Sequence, residues 1–166
     1  APNEIGAWQP QNIARVHAQG LEASAKTVIP LTTKFSLHIG GHYTHTQSQD
    51  HANPTAPSFG KQIRYVPLHQ GQMQLGGQYG HWQLSAIHRY TGKRFISADE
   101  SSVLPSFGVL NAQLQHTFTR NWGHLGLLIS LENATNAQYA ILQNYPMPPR
   151  FLRFSARLSL HTAYKR

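Results

Sequence analysis

The sequence predicts an all-β protein: an antiparallel, up-and-down sheet of about seven strands, forming a segment of a larger transmembrane β-barrel. Three observations predict it. Apolar residues recur at every second position, as in Leu125-Leu127-Ile129-Leu131 and Leu152-Phe154-Ala156-Leu158-Leu160, the period that sends alternate side chains to opposite faces of a strand. The connections between such runs are short and long by turns, as they are in barrels that cross a membrane. Only 12% of the residues are charged, about half the usual share, while Gln, Ser, Thr, His and Asn fill the positions between the apolar ones.

Taken in order, the first strand is expected over 12–29, with Leu21, Ala23, Ala25, Thr27 and Ile29 on one face and Glu22, Ser24 and Lys26 on the other. Gly20 is expected to mark a bulge there, because the alternation upstream is out of phase. After a tight reversal at Pro30-Leu31-Thr32, Phe35, Leu37, Ile39, Gly41 and Tyr43 alternate with polar neighbours. The stretch 47–60 has two prolines and no period, and is too long for a hairpin turn. Next, Met73, Leu75, Gly77 and Tyr79 alternate with five polar or glycine positions that include Gln70, Gln72, Gln74 and Gln78. So many amides need water or partners, which a dry core does not supply. Gly80-His81 turns the chain into Trp82, Leu84, Ala86, His88 and Tyr90, with Ile87 the one apolar residue on the opposite face. A second long loop, 92–105, precedes the strand of Leu110, Ala112, Leu114 and Phe118, and Asn121-Trp122-Gly123 forms the last short turn. Tyr79, Trp82 and Trp122 then fall at short-turn ends, and Tyr43 and Tyr90 near long-loop ends. These are the two aromatic girdles of a membrane barrel.

Composition narrows the function. There is no cysteine, so no disulfide framework, thiolate metal site or cysteine nucleophile. The formal net charge is +8, but the basic residues are scattered, whereas nucleic acid binding needs a basic stripe or patch; no nucleic acid partner is expected. No apolar run approaches the roughly 18 residues of a transmembrane helix. The six carboxylates assemble with no G-x-S-x-G elbow, phosphate-cradling Gly loop or H-E-x-x-H motif, so the chain is not expected to be an enzyme.

The tail carries a more specific signal. Asn133, Asn136 and Tyr139 form the pattern N-x-x-N-x-x-Y, followed by YPMPPR at 145–150 and the alternating last strand. Upstream, 63–95 contains a Y-x-P-x-H strand, a short turn and a W-x-L to YTGKR return, and LPSFGVLNAQL follows at 104–114. In this order and spacing, the motifs resemble the C-terminal end of TonB-dependent outer-membrane receptors. The resemblance implies that 1–166 is the C-terminal portion of such a barrel, with the plug domain absent from this chain, in the outer membrane of a bacterial cell. It implies uptake of a scarce nutrient (a ferric siderophore, haem or cobalamin) driven through TonB contact with the plug. The partners implied are the remainder of the barrel and plug, from the same gene or a partner chain, together with outer-membrane lipid and lipopolysaccharide. The alternative from another class is a secreted or surface β-sandwich for adhesion or carbohydrate binding, whose apolar faces would meet each other.

Candidate site residues follow from position. Lys26, Arg89, Arg153, Arg157, Gln72 and Gln74 are expected to line the lumen, where the cations favour an anionic solute or pair with acidic groups of a plug. Tyr145 and Arg150, in YPMPPR, and His51, in a loop, are the substrate-binding candidates. No cofactor is expected. The densest histidine group, His38-Ile39-Gly40-Gly41-His42-Tyr43-Thr44-His45, is not expected to hold a metal. On a strand, His38 and His42 are roughly 13 Å apart, beyond ligands that each sit about 2 Å from an ion, and His45 points to the other face.

Overall fold

The structure is a computed structural model that describes residues 15–160. Seven strands make one sheet in the order β1-β2-β3-β4-β7-β8-β11, every pair antiparallel. They are β1 (Val16–Pro30), β2 (Phe35–Asp50), β3 (His69–Tyr79), β4 (Trp82–Thr91), β7 (Phe107–Arg120), β8 (Gly123–Glu132) and β11 (Phe151–Leu160). Two small hairpins, β5 (Arg94–Phe95) with β6 (Val103–Leu104) and β9 (Ala140–Leu142) with β10 (Tyr145–Pro146), stand within the long loops.

Each strand pairs with its predecessor through a turn that the sequence makes easy. The β3–β4 hairpin closes Tyr79 on Trp82 with two residues between, and Gly80 supplies the positive φ of 57° that such a turn demands. Between β1 and β2, Thr32 Oγ1 accepts hydrogen bonds from the amides of Lys34 and Phe35, and the Leu31 and Thr32 amides reach Phe35 O. The β7–β8 turn uses only Asn121 and Trp122 between Arg120 and Gly123. These three short connections lie at one end of the sheet. The long ones, 51–68, 92–106 and 133–150, lie at the other.

Register sorts the faces. Opposed residues in an antiparallel pair share a face, and one such rung runs Thr27, Ile39, Leu75, Ala86, Ala112, Leu131 and Leu152 across all seven strands. Its neighbours include Leu37, Leu84, Leu114, Ile129, Phe154 and Leu158 on the same side. No other described element covers this side. Among the described residues no hydrophobic side chain is buried, and Met73, Leu21 and Phe154 are 70%, 64% and 72% exposed. The Tyr79–Trp82 rung and the Tyr43–Gly71–Tyr90 rung are eight residue steps apart along β3 and β4. That is roughly 26 Å along the strand, or about 20 Å along the membrane normal at the usual strand tilt, close to the apolar band of outer-membrane barrels. No Lys, Arg, Asp or Glu sits on the apolar face within that band. Lys26, Gln72, Gln74, Arg89, Arg153 and Arg157 all take the opposite face.

Several sequence expectations need correcting. Gly20 is not a bulge: β1 pairs with β2 without interruption from Val16 to Pro30. A Cβ on Gly20 would lie 2.4 Å from His45 O, so glycine is there because two backbones approach closely. β2 runs on to Asp50, and the first long loop begins at 51 rather than 47. It stays folded against the strand through the bridges Gln49–Gln62 and Asp50–Phe59. The second and third loops carry hairpins of their own, which lack enough alternation to be read from sequence. The expected start of the first strand at 12–14 lies outside the described residues.

The two faces make opposite demands on one strand. We expect Leu75→Arg in the intact protein to cost about 2–4 kcal/mol of membrane-folded stability, the price of a cation against lipid near mid-bilayer. Gln74→Arg, one residue away on the wet face, should be near neutral. The fraction of heat-modifiable folded protein after refolding into lipid vesicles measures both.

Candidate functional site

Two regions carry polar chemistry: the polar face of the sheet and the cluster of long loops. On the polar face, Gln72 stands opposite Arg89, whose Nε donates to Gln72 Oε1 at 3.0 Å. Arg153 pairs with Glu132, whose side chain is 15% exposed. Glu22 stands 3.7 Å from His42 Nδ1, and His42 Nε2 meets Thr44 Oγ1 at 2.9 Å. Lys26 and Arg157 enter no ion pair among the described residues. Four Lys/Arg on the sheet's polar face (Lys26, Arg89, Arg153, Arg157) stand against three carboxylates (Glu22, Asp50, Glu132), leaving one net positive charge. Lys26 borders a depression of about 240 Å³ that His38, Gln74, Gln78, Gln83 and Ser85 share. Gly40 and Gly76 belong to its lining; a Cβ on Gly40 would approach Lys26 Cγ to 4.0 Å. A charged amine, an imidazole and three amides around an open depression can bind a hydrated anion or an acidic side chain.

At the other region the three long loops are fastened to one another. Gln62, 5% exposed, accepts from the Ser48 amide through Oε1 and donates through Nε2 to Thr46 O and Val66 O. Its own amide donates to Glu100 Oε1 at 2.8 Å, which joins the first loop to the second. Arg94, 4% exposed, joins the second to the third: Nη1 donates to Ile141 O at 3.0 Å and Nη2 to Ala140 O at 2.9 Å. Its guanidinium lies over Phe107, which stacks on Tyr139 at 4.4 Å. Burial lowers the Arg94 pKa against a smaller upward effect of Tyr65, yet an arginine keeps its proton. The N-x-x-N-x-x-Y pattern is a loop-folding device. Asn133, 3% exposed with φ 49°, accepts from the Ala137 amide and donates to Ala137 O and Pro148 O. Asn136 Oδ1 accepts from the Arg150 amide at 3.0 Å.

The loop candidates do not come together. Tyr145 is 61% exposed, Arg150 is held by its backbone, and His51 packs against Phe59 with ring centroids 5.0 Å apart. No hydrogen bond, ion pair or ring contact joins His51 to Tyr145 or Arg150 among the described residues. Sequence reasoning missed Arg94 and Gln62, since their partners are backbone atoms brought close by folding alone. It also missed a recess of about 430 Å³ to which all three loops contribute, through Ser58, Ser97, Asp99, Ser101 and Gln143 among others.

A family model for the β-barrel of TonB-dependent receptor-like proteins matches residues 1–137. The chain belongs to the TonB-dependent receptor family. Solved structures of similar fold include the ferric citrate transporter FecA (TM-score 0.74, 16% identity, 85% of this chain and 24% of that one). They also include BauA, the ferric preacinetobactin receptor of Acinetobacter baumannii (TM-score 0.61, 14% identity, 86% and 26%), and FyuA, the ferric yersiniabactin uptake receptor of Yersinia pestis (TM-score 0.58, 15% identity, 84% and 22%). No curated protein gives a significant sequence match. The chain spans about a quarter of the length of these receptors. The family consists of outer-membrane transport receptors, not enzymes.

Two loop measurements test this arrangement. Asn133→Ala should cost about 1–3 kcal/mol locally, because it strands buried backbone groups, and should show as faster hydrogen exchange at the Ala137 amide. The Asp99 carboxylate accepts from Ser101 Oγ at 2.7 Å and from its amide. Its pKa is held at about 2, chiefly by the side-chain bonds of Ser101 and Ser97. A depressed carboxyl pKa means the turn's stabilisation is complete above about pH 4 and is lost as pH falls through about 2. Carboxyl NMR of Ser101→Ala should show Asp99 titrating closer to an ordinary carboxylate.

Proposed function

We propose that the chain is a section of the C-terminal wall of an outer-membrane receptor that takes up a ferric chelate by TonB-dependent active transport. The observation that carries this is a seven-stranded sheet with one uncovered apolar face, one polar cationic face and no buried apolar core among the described residues. A β-sandwich would need a second sheet over the apolar face, and among the described residues the only other sheets are two hairpins of two or three residues per strand. The three similar proteins named above are a transporter or receptors for ferric citrate, ferric preacinetobactin and ferric yersiniabactin, which favours a ferric chelate over haem or cobalamin.

In this proposal the wall supplies three things: a lipid-facing band, a wet cationic lining and three interlocked outer loops. Lys26, Arg89, Arg153, Arg157, Gln72 and Gln74 line the lumen. Tyr145 and Arg150 at the outer mouth, with His51, are offered to the ligand. The plug faces the polar lining, and the remaining strands pair with β1 and β11, whose outer edges carry no ladder partner among the described residues. Lipid cannot satisfy those groups, at several kcal/mol each.

Uptake of ⁵⁵Fe-labelled chelates by cells that depend on the intact receptor tests the proposal. Uptake should require TonB and an energised inner membrane, and Lys26→Gln with Arg157→Gln should weaken uptake of an anionic chelate several-fold while a neutral one is spared. Uptake indifferent to TonB would exclude the mechanism.

A further inference from the structure

The outward face carries one cluster that neither lipid contact nor solute passage explains. β2 and β3 begin their pairing at the rung His45–His69, two residues beyond Tyr43 toward the long loops. His45, His69 and Tyr43 share this face. His45 Nδ1 and His69 Nδ1 are 3.4 Å apart, with ring centroids at 4.8 Å, and Tyr43 Oη lies 2.8 Å from the same His69 Nδ1.

The proton count is what makes this arrangement informative. A neutral imidazole has one N–H and one lone pair on its two nitrogens. If Tyr43 donates its hydroxyl proton to His69 Nδ1, that lone pair is used, and His45 Nδ1 is left facing an atom with nothing further to accept. If His69 Nδ1 carries the proton, it donates to Tyr43 or to His45, and one contact stays unmade. A cation bound by both Nδ1 atoms resolves the conflict, because each nitrogen then gives it a lone pair and neither needs a proton there.

We propose that His45 and His69, with Tyr43 beside them, form a binding site for a borderline divalent transition ion such as Cu²⁺ or Zn²⁺. Two ligands about 2.0–2.1 Å from an ion at the tetrahedral angle are roughly 3.4 Å apart, which is the Nδ1–Nδ1 separation here. Imidazole suits both ions, and Cu²⁺ binds such donors most tightly of the common divalent series. The spacing along β2 gave no hint of the site, since His42 and His45 face opposite ways; register supplies the second imidazole from β3. Among the described residues no three His, Cys, Asp or Glu side chains are grouped, so the set is two imidazoles and a phenol, with water completing it. The site lies about 7 Å beyond the Tyr43 rung along the strand, above the outer girdle, where ions in water have access. It is independent of which solute the receptor carries.

The test is Cu²⁺ titration of the intact receptor in detergent, followed by electron paramagnetic resonance, with heat-modifiability confirming that each variant is folded. Wild type should bind one Cu²⁺ with two equatorial nitrogens, displaced by Zn²⁺. His45→Ala and His69→Gln should each weaken that equivalent at least ten-fold, Tyr43→Phe should keep the two-nitrogen signature, and His42→Ala, on the opposite face of the same strand, should change nothing. Unchanged Cu²⁺ affinity and signature in folded His45→Ala and His69→Gln would overturn the proposal, as would an equal loss in His42→Ala.

Discussion

A backbone group that meets hydrocarbon without a hydrogen-bond partner costs several kcal/mol, and this constraint governs everything else in the chain. It requires an uninterrupted ladder, and β1 pairs with β2 over fifteen successive residues without a shift. It places glycine where two backbones come nearest, as at Gly20 against His45 O. It also makes the sheet incomplete alone, because β1 and β11 each have one neighbour in the sheet order. Every residue of both strands is exposed, whereas the inner strands shelter part of their surface.

With the ladder fixed, the period of two does the rest. Each strand must offer one face to lipid and the other to water, so the usual logic of a buried core is replaced by two surfaces back to back. That explains an otherwise odd composition. Glutamine is a poor choice for a dry core and a good one for a wet lining, where it can hold arginine in place, as Gln72 holds Arg89. The polar face keeps one net positive charge after Glu22, Asp50 and Glu132 are counted, and its open depression beside Lys26 leaves room for a ligand group or for an acidic side chain of a plug.

The loops obey a different rule. Long connections carry many backbone donors and acceptors that no ladder satisfies, so buried polar side chains take over that task. Gln62, Arg94 and Asn133 are three of the four buried polar side chains among the described residues, and each bonds mostly to backbone carbonyls or amides. Gln62 and Arg94 link the three loops in series, and Asn133 folds the third onto itself. The His45–His69 rung lies at the boundary between the two regimes, where the β2–β3 ladder ends and the first long loop joins the sheet.

By itself, the sequence determined the fold class, the seven strands of the sheet, the faces of the residues it assigned to those strands, and the family. All of these are local: period two, turn residues such as Gly80, and motifs of a few residues leave their mark on consecutive positions. Even the face of Ile87, apolar yet on the polar side, was legible from its parity. Only the tertiary structure decided which residues meet across strands and loops. His45 and His69 are 24 positions apart and Arg94 and Ala140 are 46 apart, and no periodicity relates them; register and loop packing do. The bulge expected at Gly20 failed for the same reason, since a glycine required by a neighbouring strand's carbonyl looks, in one dimension, like a glycine required by its own chain.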